Sequence, residues 1–435
     1  MTEPQTSMAA ITGKVLKRLM PFLLLMYVLA FLDRVNVGFA KKAFQVDTGI
    51  GDAAFAFGAG IFFIGYALFE VPSNLIMHRV GARAWMCRIM VTWGLISAGM
   101  AWAHTEFVFY ALRFLLGIAE AGFFPGVILY LTYWVSAKDR GRAIGLFYFG
   151  APLAFILGSP FTGALLEFCD GMGGYRGWQW MFAIEGIMAS IVGVWAYFYL
   201  DNRPKDADWL APEEKKTLQA VIDGEESIKH SHGPKGVMAA LGNGKVLYIC
   251  LIYFMIQMSV YGVVFYLPTQ VATLLGTNIG FKVGLVAAIP WVCAIVAAYY
   301  IPRISDATGD RIYIAAATLA VGGVGIAVSA YAASPLIALV ALCFGAAGFI
   351  AVQPMFWTYP TAYLAGAAAA GGIGLVNSLG TFGGFVAPNV KTWAEAALQS
   401  KSAGLFFLAG AAIVGAILIL GLTRIGVRGQ VEETK

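Results

Sequence analysis

The chain is short of charge. Only 12% of its 435 residues are Asp, Glu, Lys or Arg, against roughly a quarter in soluble domains, which excludes a water-soluble globular protein of this size. Cysteine is scarce too: Cys87, Cys169, Cys250, Cys293 and Cys343 are odd in number and scattered, so neither a disulfide framework nor a zinc pattern is supported. The histidines His78, His104, His230 and His232 fall in loops or at the ends of apolar runs, which argues against a membrane-embedded histidine relay. No cleaved leader is expected. The start, MTEPQTSMAAITGKVLKRLM, is polar, and the apolar run after it is longer than a signal-peptide core and has no small-residue cleavage site. The net charge of +5 sits in short loops, where membrane orientation explains it, and no nucleic-acid partner is expected.

What the chain has instead is hydrophobic length. Apolar segments lie at about 15–39, 53–77, 84–103, 107–135, 141–167 and 178–200, then at about 246–275, 281–302, 312–332, 335–362, 367–391 and 403–424. The expected fold is an all-α integral membrane protein of twelve transmembrane helices in two six-helix pseudo-repeats, with a first bundle at 1–200, a linker at 201–245 and a second bundle at 246–435. The linker carries helix-start chemistry at Asp208–Glu214 and then the polar tract GEESIKHSHGPKG, which reads as one short helix with a flexible end. Loop cations (Lys14, Lys17, Arg18; Arg79, Arg83; Lys138, Arg140, Arg142; Arg303, Arg311; Arg424, Arg428) all fall on one side, which should be the cytoplasm and should hold both termini. An internal echo supports the repeat: NLIMHRVGAR follows span two and PRISDATGDR follows span eight, with Gly81 and Gly309 in matching places.

Ionisable groups within apolar spans are costly, so each is a candidate for function. They are Asp33 and Arg34 in span one, Glu70 in span two, Arg113 and Glu120 in span four, and Glu185 in span six. Arg113 and Glu120, seven apart, share a helix face at ~10 Å along the axis. With Asp33 and Arg34 they supply two guanidinium groups suited to a carboxylate and two acids suited to protons, the set a proton-coupled anion carrier needs. The competing reading is structural ion pairing, Asp33 with Arg34 or Arg113 with a backbone carbonyl. Glu70 and Glu185 lie near span ends and read as groups that reach water. The second half has no deep charge, only neutral groups such as Gln257, Tyr261, Trp357, Thr358 and Asn377, which would line the other wall of a cavity. Tyr66, from position alone, reads as packing.

The twelve-span plan together with LDRVNVGFA in span one, VPSNLIMHRVGAR after span two, RFLLGIAEAGFFPG in span four and SDATGDR after span eight resembles the anion:cation symporter branch of the major facilitator superfamily, over essentially the whole chain. Within that branch, AFLDRVNVGFAKKAFQVDTGI, GAGIFFIGYALFEVPSNL and GFIAVQPMFWTYPTAYLAG are most similar to bacterial L-rhamnonate transporters, and then to tartrate transporters. The resemblance implies proton-driven uptake of an organic anion by alternating access. It implies proton handling by Asp33 and Glu120, anion handling by Arg34 and Arg113, and substrate contact by Tyr66 and Asn377. It implies gating by the loop residues Arg79, Arg83 and Asp306, with His78 standing where the first loop copy usually has an acid. Ala151 stands where galactonate carriers have a glutamine, which disfavours galactonate and suits a 6-deoxy acid.

The sequence thus points to an importer of a monocarboxylic sugar acid, L-rhamnonate in the first place, in a bacterial inner membrane. It would run on the proton gradient with no cofactor and no bound metal, as a monomer in the lipid bilayer. Alternatives are a symporter for tartrate, another hydroxy-dicarboxylate or an aromatic carboxylate, and a nutrient sensor on a transporter frame. An enzyme is not expected, since no nucleophile with a base, ligand set or phosphate loop lies in the spans.

Overall fold

The computed structural model describes residues 8–232, 242–363 and 367–424, and among them the regular structure is helical throughout. Lipid offers no hydrogen bonds to a backbone, so a chain this apolar can only satisfy its N–H and C=O groups within helices. Among the described residues, eleven helices are long and apolar enough to cross a membrane. The remaining expected span, the eleventh, is two 15-residue helices, Ala367–Thr381 and Gly383–Ala397, meeting at Phe382. This span extends past the expected end at 391 and carries Lys391 with it into the bundle.

The first span is one helix, Met8–Thr48, of 41 residues. At ~1.5 Å per residue that is about twice the ~30 Å hydrocarbon core, so both ends project from the lipid. Asp52–Val80 and Ala82–Gly99 are the second and third spans, and Gly177–Tyr199 is the sixth. Spans four, five and seven are each split: Glu106–Glu120 with Phe123–Thr132, Ala137–Tyr148 with Gly150–Phe168, and Gly244–Val264 with Leu267–Leu275. Phe281–Thr308, Arg311–Tyr331, Pro335–Tyr363 and Ala403–Gly421 are spans eight, nine, ten and twelve. The linker helix starts at Pro212 as its sequence suggests but runs to His232, longer than expected. The side chains of the echoed loop acid Asp306 and of His78 lie outside the described residues, as does Arg428. The two echoed glycines both close their helices at positive φ, with different ψ (148° at Gly81, −4° at Gly309). Gly81 (φ 98°) and Gly309 (φ 78°) hold positive φ, and their N–H groups donate to the carbonyls of Met77 and Ser305.

Small residues set the packing in both halves. A methyl on Gly186 of span six would lie 2.4 Å from the Gly94 carbonyl oxygen of span three. One on Gly323 of span nine would lie 2.9 Å from the Ala412 side chain of span twelve. Helices in lipid gain little from burying more apolar surface, so close backbone approach is what holds them together.

The halves meet mainly at one end. A methyl on Gly38 would sit 2.6 Å from the Phe265 carbonyl oxygen, one on Gly60 2.8 Å from that of Phe385, and one on Gly284 2.2 Å from that of Ser159. Phe155 stacks on Trp291 at 3.8 Å, and Glu167 Oε2 accepts the Phe281 N–H at 2.7 Å, across spans five and eight. The glycine contacts and the Glu167 bond lie in the parts of their spans away from the linker, and the Phe155–Trp291 stack lies nearer mid-span. At the linker-side ends of the spans, the following bonds join elements of one half to each other or to the linker. Thr12 donates to Asp139 at 3.2 Å, Tyr199 to the Arg18 carbonyl at 2.8 Å and Tyr248 to the Leu418 carbonyl at 2.8 Å, and Lys14 pairs with Glu214.

Two outcomes are expected from these contacts. Gly122 breaks span four in the left-handed region (φ 84°), and a methyl there would lie 2.3 Å from Ser73 Oγ. Gly122→Val is therefore expected to cost about 2 kcal/mol or more, read as a lower melting temperature of the purified protein; an unchanged melting temperature would contradict the strain. The hydrogen bond from Lys14, helped by the Ala211 N–H, holds the Glu214 carboxyl below the usual glutamate range. Its docking contribution is then present at neutral pH and lost as pH falls through that lowered value. Protease cleavage of the linker at neutral pH should be faster in Glu214→Gln than in wild type, and equal rates would remove the docking role.

Candidate functional site

Arg34 is the centre of the buried polar cluster. It is 7% exposed, on span one. Nη2 donates to Glu120 Oε1 of span four, and Nη1 donates to the Tyr261 hydroxyl of span seven at 2.9 Å. Its guanidinium lies 5.0, 5.3 and 5.2 Å from the ring centres of Phe31, Phe62 and Tyr66. One side chain thus touches both halves. Arg34 Nε and Glu120 Oε2 are buried with no hydrogen-bond partner among the described residues, so the pair keeps a donor and an acceptor in reserve. Removing one member of a buried pair strands the other charge, at about 3–5 kcal/mol.

Arg113 sits close by but is employed differently. It is fully buried, and Nε and Nη2 donate to the carbonyls of Gly58 and Ala59 on span two at 3.3 and 2.9 Å. Its guanidinium is 5.1 Å from the Phe62 ring centre, so Phe62 contacts both arginines. Asp33, although next to Arg34 in sequence, accepts from Trp93 Nε1 at 2.9 Å, Ser97 Oγ at 2.7 Å and Asn36 Nδ2 at 3.4 Å. The two neighbours point to different environments, as adjacent positions on a helix do.

Glu70 and Glu185 depart from the expectation that they reach water: they are 2% and 1% exposed. Glu70 accepts from Asn377 Nδ2 at 2.7 Å and Ser378 Oγ at 2.9 Å, tying span two to span eleven across the halves. Glu185 accepts from Thr162 Oγ1 at 2.6 Å and Asn36 Nδ2 at 3.0 Å. The second half also holds a deep cation after all. Lys391 is buried, pairs with Glu395 at 2.6 Å and lies 3.9 Å from the Tyr266 ring centre, because span eleven runs two turns further than its hydropathy suggests.

The remaining candidates are spread around this cluster. Tyr66 is buried beside Arg34. Gln257 is buried, with Oε1 unpartnered among the described residues. Trp357 packs edge-on against Tyr253 at 4.9 Å, and Thr358 donates to the Met355 carbonyl at 2.7 Å. Arg79 is exposed, whereas Arg83 donates to the Tyr197 carbonyl and its guanidinium lies 4.4 Å from that ring. Asn36, Trp93, Ser97 and Thr162 escaped the reading of the sequence. Asn36, three residues after Asp33 and so on the same helix face, was the one readable signal.

The sequence profile of the Major Facilitator Superfamily matches residues 23–388. The inner membrane transport protein RhmT of Escherichia coli is 50% identical over 95% of either chain. A putative tartrate transporter of Agrobacterium vitis is 43% identical over 96% of this chain and 92% of its own. Among solved structures, a partially occluded inward-open form of the xylose transporter XylE from Escherichia coli superposes with a TM-score of 0.72 at 15% identity, covering 94% of this chain and 98% of that one. A family built of membrane transporters rather than enzymes accounts for the helical bundle and the lipid-length spans, and the chain belongs to the Major Facilitator Superfamily.

Proposed function

We propose that the protein imports a sugar acid, L-rhamnonate in the first place, by proton symport across a bacterial inner membrane, with both termini in the cytoplasm and one copy of the chain sufficient. The observation that carries this reading is the Arg34–Glu120 pair, with Arg34 also bonded to Tyr261 of the other half. With Glu120 ionised, the guanidinium is compensated and has little need of a substrate anion. Protonating Glu120 removes that compensation and leaves a buried cation, which a carboxylate in forked geometry satisfies. Loss of the proton restores the internal pair and expels the anion. Proton and substrate thereby compete for one charge balance, and linkage makes the coupling reciprocal.

Closure at the end away from the linker, through Gly38, Gly60, Gly284 and the Glu167 bond, supports a state open towards the linker side and hence alternating access. Arg113, pinned to span-two carbonyls, holds the positive field of the site and orients Phe62. The Tyr253, Phe356 and Trp357 rings make an apolar wall suited to the methyl end of a 6-deoxy acid. A hydroxy-dicarboxylate such as tartrate is the second reading, favoured by the Agrobacterium vitis relative. Against it, Lys391, the buried cation of the second half among the described residues, is already matched by Glu395 and so is not free for a second carboxylate.

In proteoliposomes an inward proton gradient is expected to drive accumulation of L-rhamnonate ahead of tartrate in a panel of labelled acids; accumulation that survives collapse of the gradient would end the symport reading. Glu120→Gln is expected to lose accumulation while still binding substrate, and normal accumulation would exclude its proton role. Arg34→Lys, which keeps the charge but not the fork, should weaken binding by about 10-fold or more, and an unchanged Kd by calorimetry would remove Arg34 from the anion site.

A further inference from the structure

Asp33 and Glu185 are joined by one amide. Asn36 Nδ2 donates to Asp33 Oδ1 at 3.4 Å and to Glu185 Oε2 at 3.0 Å, and the three side chains are essentially without exposure. Every other bond to the two carboxyls comes from a neutral group: Trp93 and Ser97 of span three to Asp33, and Thr162 of span five to Glu185. Among the described residues no salt bridge reaches either acid. Arg34 is engaged by Glu120 and Tyr261, and Arg113 by the Gly58 and Ala59 carbonyls. Span three packs on span six through Gly94 and Ser190, also neutral. Among the described residues, Glu120 is a further acid whose charge bears on Asp33.

Two carboxylates ionised together in such a place would bury two uncompensated charges, and buried unpaired charges neutralise instead. A second observation points the same way. Asn36 Oδ1 is buried with no donor, and a protonated carboxyl on either side supplies the O–H that this amide oxygen lacks, with the amide turned to receive it.

We propose that Glu185 is a second proton-binding acid of the transport cycle, paired with Asp33 through Asn36 and separate from the Arg34–Glu120 pair. This inference rests on the proton-symport reading above. The step is a bare proton transfer: an O–H bond forms on a carboxylate oxygen of the pair as the proton leaves water on the loading side, and breaks as water on the other side takes it back. Asn36 makes occupancy of one acid felt by the other, and Asp33 carries that change along span one to its neighbour Arg34, so the pair adds a proton to the cycle without touching substrate. Thr162 is a positioning residue that holds the Glu185 carboxyl towards Asn36.

The test uses the full chain in sodium-free proteoliposomes, with L-rhamnonate as the probe and the proton-to-substrate ratio read from the reversal potential. Glu185→Gln, which keeps the shape and, through its one amide oxygen, one of the two bonds accepted from Thr162 and Asn36, is expected to lower the ratio by about one proton and to displace the pH midpoint of uptake, with substrate Kd within about 2-fold of wild type. A variant with wild-type ratio and pH profile would overturn the proposal. Should Glu185→Gln not fold, Thr162→Val tests the same acid: the pH midpoint is expected to move by about half a unit or more, and an unmoved midpoint overturns the proposal equally. Wild-type uptake indifferent to the proton gradient would instead strike the symport reading itself, before any variant is compared.

Discussion

The fold depends on one constraint: a charge taken out of water must be answered inside the protein. Born-type penalties of many kcal/mol in a low-dielectric medium leave few solutions, and three of them occur within a short stretch of the bundle. Arg34 and Glu120 answer one another as ions. Arg113 is answered by backbone carbonyls and the face of an aromatic ring. Asp33, Glu70 and Glu185 are answered, among the described residues, by neutral hydrogen-bond donors. Under the proposed symport these differences would matter, because an ion pair can be exchanged for a substrate anion, whereas a carboxyl held by neutral donors is more readily neutralised by a proton.

Most of the buried charges lie in the first half, and the bonds that tie the halves lie around them. Arg34 to Tyr261 and Glu70 to Asn377 and Ser378 cross the interface at the level of the buried charges. Nearer the end away from the linker, the interface is closed by backbone approach at glycines and by Glu167 at the start of span eight. A contact made of glycine and carbonyl can separate without stranding a charge. The central bonds cannot, so separating the halves there would require a new partner for Arg34 and for Glu70.

Much of the architecture was legible in the amino-acid order. Lipid-length apolar runs leave a chain little choice but helices, and a membrane makes intramembrane charges conspicuous enough that Asp33, Arg34, Arg113 and Glu120 stand out without any coordinates. The echo of Gly81 and Gly309 was readable because positive φ at a helix end has few tenants other than glycine. Hydropathy was less able to say where a span ends. The eleventh runs past Lys391 because Glu395 neutralises that lysine one turn on, a pairing that a windowed average counts as two costs rather than one solution.

What only the tertiary structure decided is which charge meets which partner. Sequence neighbours on a helix diverge by about 100°, so Asp33 and Arg34 were never bound to pair, and they do not: each was claimed by a different span. Glu70 and Glu185 were read as reaching water because distance along the chain from a loop was the one measure of depth available. Their burial was settled by spans five, one and eleven, which bring Thr162, Asn36, Asn377 and Ser378 to them from far away in the sequence. Composition and order determined that this is a helical membrane protein with rare embedded charges; the crossing of helices, which no local pattern encodes, determined which of those charges are ions with a partner and which are acids left to neutral donors.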